Sequence, residues 1–301
     1  MRQILGTGLI LTFAAIGLAQ DSFPPGGPSL PEWNVLYGRK EFADAQNMFS
    51  SYIRKLVEKE QQRRSKAIAD LSSAEEIREY QRETRARLRA ALGELPARTP
   101  LNPQTAGILE RDGYKVEKVV FESRPRYYVT ANVYVPRRGT PPYPAVLAPV
   151  GHWGMGKSFD EYQRLGIYLA RRGYIVLVYD VPGQGERRQY FNPILGRSLI
   201  DPGGSHWFVT LEHGYAGAQA ILTGGDYASY LVWDGIRALD YLTERADVDK
   251  QRLACTGTSG GGLQTELLSA VDERIKVSIP VCYGGCNPDN PARTGLSSIY
   301  R

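Results

Sequence analysis

Residues 257 to 262 read Gly-Thr-Ser-Gly-Gly-Gly. They form a G-x-S-x-G pentapeptide between the short apolar run Leu253-Ala254-Cys255 and the helical pattern Leu263-Gln264-Thr265-Glu266-Leu267-Leu268. Strand, sharp turn and helix in that order put a serine at a strained backbone position, with its hydroxyl lifted off the end of a parallel sheet. Glycines at the flanking positions are what let the strand and helix approach each other. The pattern therefore predicts Ser259 as a nucleophile; the alternative is a glycine-rich turn with an ordinary serine. No other short stretch constrains the fold as strongly.

The rest of the chain suits such a sheet. Val116 to Glu122 and Tyr127 to Val135 are rich in β-branched and aromatic residues and flank Ser123-Arg124-Pro125-Arg126, which predicts an antiparallel hairpin. Strand-length apolar runs then alternate with helical patterns. Strands are expected at Ala145 to Val150, Tyr174 to Tyr179, Leu253 to Thr256 and Val277 to Val281, and helices at Phe159 to Arg172 and Tyr227 to Arg245. That alternation implies a mostly parallel sheet with helices on both faces and a site at the carboxyl ends of the strands.

Ahead of this domain, Glu41 to Leu71 carries an apolar stripe (Phe42, Ala45, Phe49, Tyr52, Ile53, Leu56, Val57), expected to pack against the main domain. Ser72-Ser73-Ala74-Glu75-Glu76 announces a second helix that stops at Gly93. Pro96 to Pro103 is a linker by composition. The expected organisation is a signal peptide over 1–19, a Pro/Gly-rich lead-in and helical extension over 20–103, and the α/β domain over 104–301.

The signal reading rests on Arg2, the uncharged stretch from Gln3 to Gln20, and the small residues of Gly17-Leu18-Ala19. The alternative is a retained membrane anchor, but the Gly and Thr content and the Pro/Gly-rich segment that follows favour cleavage, hence a secreted or periplasmic protein with no stable membrane association. Export would place Cys255, Cys282 and Cys286 in an oxidising compartment, where three thiols leave at least one unpaired within the chain. Cys255 is expected to be buried; Cys282 and Cys286 could pair or simply line a loop. The net charge of +5 is concentrated in residues 39 to 92, with 13 Lys/Arg against 9 Asp/Glu, as on a solvated helical face. With no nucleic-acid motif, zinc spacing or phosphate loop, neither a nucleic-acid partner nor a metal is expected.

The candidate site residues lie after the strands. Gly151-His152-Trp153-Gly154 follows the first parallel strand, and Asp180-Val181-Pro182-Gly183-Gln184-Gly185-Glu186-Arg187 follows the second, so both loops open on the rim that carries Ser259. The backbone N–H of Trp153 could act with that of Gly260 on an oxyanion. His152 is expected to hold its loop rather than serve as a base, and Asp180 to be structural, paired with Arg187 or Arg188 or capping the loop. From Arg188 to Gly225 the expectation is a long loop, with His213 and Tyr215 at the rim and aromatics suited to a sugar or to ordinary packing.

The order of the His152-Trp153-Gly154 loop, Asp180-x-x-Gly183-x-Gly185, Glu212-His213-Gly214-Tyr215, Trp233-Asp234-Gly235-Ile236-Arg237 and the Ser259 pentapeptide resembles the acetyl xylan esterase-like branch of the α/β-hydrolases over residues 105 to 285. The resemblance implies Ser259 as nucleophile, Gly260 and Trp153 as oxyanion donors, short acyl esters of small molecules or plant polysaccharide as substrates, and no cofactor. In that superfamily the triad runs Ser, acid, His. Here no histidine follows Ser259, and of the later acids only Asp289 is expected near a strand end. The expectation is a C-terminally incomplete α/β-hydrolase, inactive alone; His152, His206 or His213 as an unusual base, a prolyl-oligopeptidase-like peptidase, and a non-catalytic relative are the alternatives.

Overall fold

The computed structural model describes residues 35–36, 39–200 and 208–283. The expected signal peptide, His206, Cys286 and Asp289 lie outside the described residues. The chain divides into two compact units, Met1–Leu56 and Val57–Arg301.

Short 3-10 turns at Lys40–Phe42 and Ala45–Asn47 belong to the first unit, and helix α1 (Met48–Ala69) begins there and continues into the second. Its stripe was expected to be buried. Instead Phe49, Tyr52, Ile53 and Leu56 are exposed, and α1 buries no residue. Lys, Arg, Glu and Gln dominate the helix, so its helicity rests on propensity and on charge pairs such as Glu60 with Arg63 rather than on packing. Helix α2 (Ala74–Leu92), which lies in the second unit, begins with the predicted capping box. The Ser73 hydroxyl accepts the Glu76 N–H, and the Glu76 carboxylate accepts the N–H of Ser73.

The second unit is built on a seven-stranded sheet made of β1 (Gln104–Arg111), β2 (Tyr114–Arg124), β3 (Tyr127–Pro136), β4 (Tyr143–Pro149), β5 (Ile175–Tyr179), β8 (Val248–Thr258) and β9 (Ile275–Val281). The order is β1-β2-β3-β5-β4-β8-β9. The first three strands and the β3–β5 pair are antiparallel; β5, β4, β8 and β9 are parallel. Helix α3 (Asp160–Ala170) covers one face, where its Gly166 lies against the ring of Tyr134. Helices α5 (Tyr227–Glu244) and α6 (Gly260–Val271) cover the other, where Tyr179 reaches Gln264 of α6. Tyr134 stands opposite Val176, one residue out of phase with Leu177 and Tyr179, so the two-residue period of the strands separates the faces. Phe121, Leu147, Leu177, Leu239 and Leu268 are wholly buried between these layers.

The segment expected as a long loop is not one. It forms a two-residue hairpin, β6 (Phe191–Asn192) with β7 (Arg197–Ser198), and helix α4 (Phe208–Leu222). Sequence patterning also missed β1, whose residues are nearly all exposed and whose strand state comes from pairing with β2. The Pro-rich linker is pinned to α5: Arg98 bonds Asp240 at 3.0 Å, Arg237 donates to the Thr99 carbonyl, and Leu101 is buried.

The order reverses at β4, whose neighbours are β5 on one side and β8 on the other. In such sheets the crevice at the carboxyl ends of the strands is where ligands bind. Ser259 follows β8, and the His152 loop follows β4.

Candidate active site

Ser259 is held at φ 58°, ψ −117°, a conformation costly for any side chain and kept only where the surroundings overdetermine it. Its N–H donates to the Val281 carbonyl at 2.8 Å, and its carbonyl accepts the Leu263 N–H at 3.0 Å as α6 begins. The glycines explain why no other residues would do. A Cβ at Gly261 would stand 2.3 Å from the Pro149 carbonyl oxygen, one at Gly257 2.6 Å from the same oxygen, and one at Gly262 2.6 Å from that of Val281. The turn is thus wedged between the ends of β4 and β9.

The imidazole of His152 lies over this turn. Its Nδ1 is 3.4 Å from Ser259 Oγ, and a Cβ on Gly260 would meet its Cε1 at 2.7 Å. Burial lowers the pKa of His152 and favours the neutral ring. Against its ring, at 5.5 Å between centroids, stands His213 of α4. His213 Nε2 lies 2.9 Å from the Pro182 carbonyl oxygen, so that nitrogen carries the proton. Burial first, then the neighbouring His152, pushes the His213 pKa down to about 3, against the raising effect of that carbonyl.

The two loops lock onto each other through Asp180, which is fully buried. Its ion pair is with Lys157 of the first loop, 2.5 Å from the ammonium, rather than with Arg187 or Arg188; the loop-capping alternative fits, since it also accepts the Lys157 backbone N–H at 2.7 Å. Thr130 and the Glu186 N–H complete its shell. The Arg187 side chain goes elsewhere, to Asp234 at 2.7 Å; it touches Asp180 only at the backbone carbonyl. Gln184, which sequence reasoning passed over, donates from the second loop to the Gly151 and Trp153 carbonyls of the first.

Of the expected oxyanion donors, Gly260 opens α6, where the backbone N–H groups and the helix dipole favour negative charge. The Trp153 N–H is turned onto the Gly151 carbonyl at 2.8 Å. The Trp153 indole is 45% exposed and stacks on Phe159 at 4.3 Å. Tyr215 is exposed and rests against Tyr190. Cys255 is buried, as expected, and its thiol is pushed up to about 12 by burial; the pairing of Cys282 with Cys286 falls outside the described residues.

The arrangement is a hydroxyl on a strained turn, a neutral imidazole within reach of it, and a helix N-terminus alongside. A family model described as acetyl xylan esterase (AXE1) matches residues 94–284. The chain belongs to the acetyl xylan esterase family. It is 29% identical over 215 residues to YtaP of Bacillus subtilis (strain 168), a hydrolase by name, covering 66% of this chain and 63% of that protein. A Bacteroides fragilis NCTC 9343 structure bearing the acetyl xylan esterase name superposes with a TM-score of 0.54 at 21% identity, over 68% of this chain and 53% of that one. A glucuronoyl esterase of Solibacter usitatus gives a TM-score of 0.48 at 18% identity, over 76% and 66%. The chain thus spans 63% of the length of the first and about half of the second. The fold is the α/β-hydrolase fold, as the resemblance implies.

Proposed function

We propose that this acetyl xylan esterase family member is a serine carboxylic-ester hydrolase acting on acylated carbohydrate, with Ser259 as nucleophile. The observation that carries this reading is the strained Ser259 between β8 and α6 with His152 Nδ1 3.4 Å from its oxygen. In the first step Ser259 Oγ bonds to the ester carbonyl carbon while its proton passes to His152 Nδ1. The carbonyl oxygen, now an anion, takes the Gly260 N–H and the Trp153 N–H, the latter leaving its Gly151 partner. The C–O bond to the sugar then breaks, and the sugar oxygen takes the proton from His152. Water repeats the sequence on the acyl-serine, releasing the acid and restoring the hydroxyl. Burial keeps the His152 ring in the neutral form that a proton acceptor needs. The apolar stretch before residue 20 supports export to a secreted or periplasmic setting, and no described helix is long and apolar enough to cross a membrane.

Fluorophosphonate labelling followed by peptide mapping tests the reading. Label on the Ser259 peptide, lost in Ser259→Ala, is the expected result. Label on another serine, or equal labelling of Ser259→Ala, overturns it.

A further inference from the structure

A cavity of about 260 Å³ lies between α4, α5 and the start of β3. Tyr127, Tyr190, Tyr227 and Tyr230 line it, with Gln189 and Gln219, and Pro182 forms part of its wall. The sheet fixes which end of the molecule it faces. Strand β3 runs antiparallel to β5 with Ala131 opposite Tyr179, so Tyr127 sits at the carboxyl end of β5, as does Pro182. The cavity therefore opens at the same end of the sheet as Ser259. Only two rings part it from the serine's histidine. The Pro182 carbonyl accepts the Tyr227 hydroxyl at 3.0 Å and the His213 ring N–H at 2.9 Å, and His213 packs on His152.

The lining selects a ligand chemistry. Aromatic faces bind the C–H faces of a flat, weakly hydrated ring, and amides and hydroxyls supply donors and acceptors around its edge. Tyr190 donates to Gln219 Oε1 at 3.2 Å, which leaves the Gln219 amide NH₂ as a donor, and Gln189 spends its own NH₂ on the Arg187 carbonyl, which leaves its oxygen as an acceptor. The hydroxyls of Tyr127 and Tyr230 have no partner among the described residues. No charged side chain lines the cavity. The nearby guanidiniums are engaged on its rings, Arg124 over Tyr230 at 4.2 Å and Arg187 over Tyr127 at 5.1 Å, the latter also neutralised by Asp234. An acidic or basic ligand finds no counter-charge here.

We propose that this cavity is a binding subsite for a neutral sugar ring, separate from the acyl-binding position at Ser259. It would hold a residue of a saccharide chain at a distance from the ester being cut. The inference rests on the carbohydrate esterase reading above, and it deepens that reading by making an oligosaccharide, rather than an isolated acyl sugar, the preferred substrate.

The test is calorimetric titration of the Ser259→Ala protein with xylotriose, which carries no ester and no charge. Saturable binding at millimolar concentration is expected, weakened about tenfold by Tyr190→Ala, which removes an aromatic wall. Gln219→Ala, an exposed position on α4, should weaken it as well and guards against a folding defect in the tyrosine variant. Tyr168→Ala, on the surface of α3, should leave it unchanged. No saturable binding, binding indifferent to both cavity variants, or uptake of ferulic acid in place of the sugar would each overturn the proposal. Because binding is read without turnover, its failure is distinct from a failure of Ser259 labelling, which would strike the esterase reading instead.

Discussion

His152 Nδ1 and Ser259 Oγ lie 3.4 Å apart across 107 residues of chain, brought together because β4 and β8 are parallel neighbours whose ends share one crevice. Replacing His152 with Ala should therefore slow fluorophosphonate labelling of Ser259 at neutral pH by about a hundredfold, the lower range of general-base effects. Labelling rates measured alongside Tyr215→Ala, which should change little, check this.

The elbow glycines make a graded prediction. Gly261→Ala puts a methyl 2.3 Å from a backbone oxygen that cannot move without breaking the sheet, and should destabilise the domain by about 1–3 kcal/mol. Gly260→Ala meets a side chain instead, so His152 can rotate away. It should cost less in stability and more in labelling rate. Denaturant midpoints and labelling rates on the same two proteins separate these effects.

Asp180→Ala should be the most damaging change to the rim. It leaves the Lys157 ammonium buried with only the exposed Glu186 as counter-charge, and removing one partner of a buried pair costs about 3–5 kcal/mol. Replacing both, with Lys157→Met added, should recover part of the loss. Urea unfolding of the single and double variants gives the coupling.

Stability should fall in acid because of His213. Its folded pKa, about 3, lies below the ordinary histidine value of 6.5. Between these two values the unfolded chain binds a proton that the folded chain refuses. The contribution of the neutral buried ring is complete above about pH 6.5 and is lost as pH falls toward 3, at roughly 1.4 kcal/mol per pH unit. A His213→Gln protein should show a flatter stability profile over that range by thermal or urea denaturation.

The elbow, the hairpin and the parallel strands were legible because each rests on a local pattern: glycine spacing, β-branched runs, uninterrupted apolar stretches. Helix α4 was not legible. Gly214 and Gly217 break its propensity, and most of its other residues are small or apolar on every side, so no face stands out. Its helical state depends on packing beside α5. With α4 unread, the placement of His213 against His152 was unreadable too. Strand β1 failed for the complementary reason, since an exposed edge strand shows no alternation. For Asp180 the loop-capping role was legible, because the Glu186 N–H it accepts is close in sequence, whereas its cation was not, because Lys157 comes from the preceding loop.

A single carboxylate that fills the hollow between Gly156 and Gly185, with no room for a methyl at either, makes the two rim loops one mechanical part. An insertion in the loop after β4 would have to be answered by a matching change in the loop after β5, or the buried charge would lose its fit. The loops would then vary as a pair when substrate preference shifts, and grafting one of them alone into a relative should fail where grafting both succeeds.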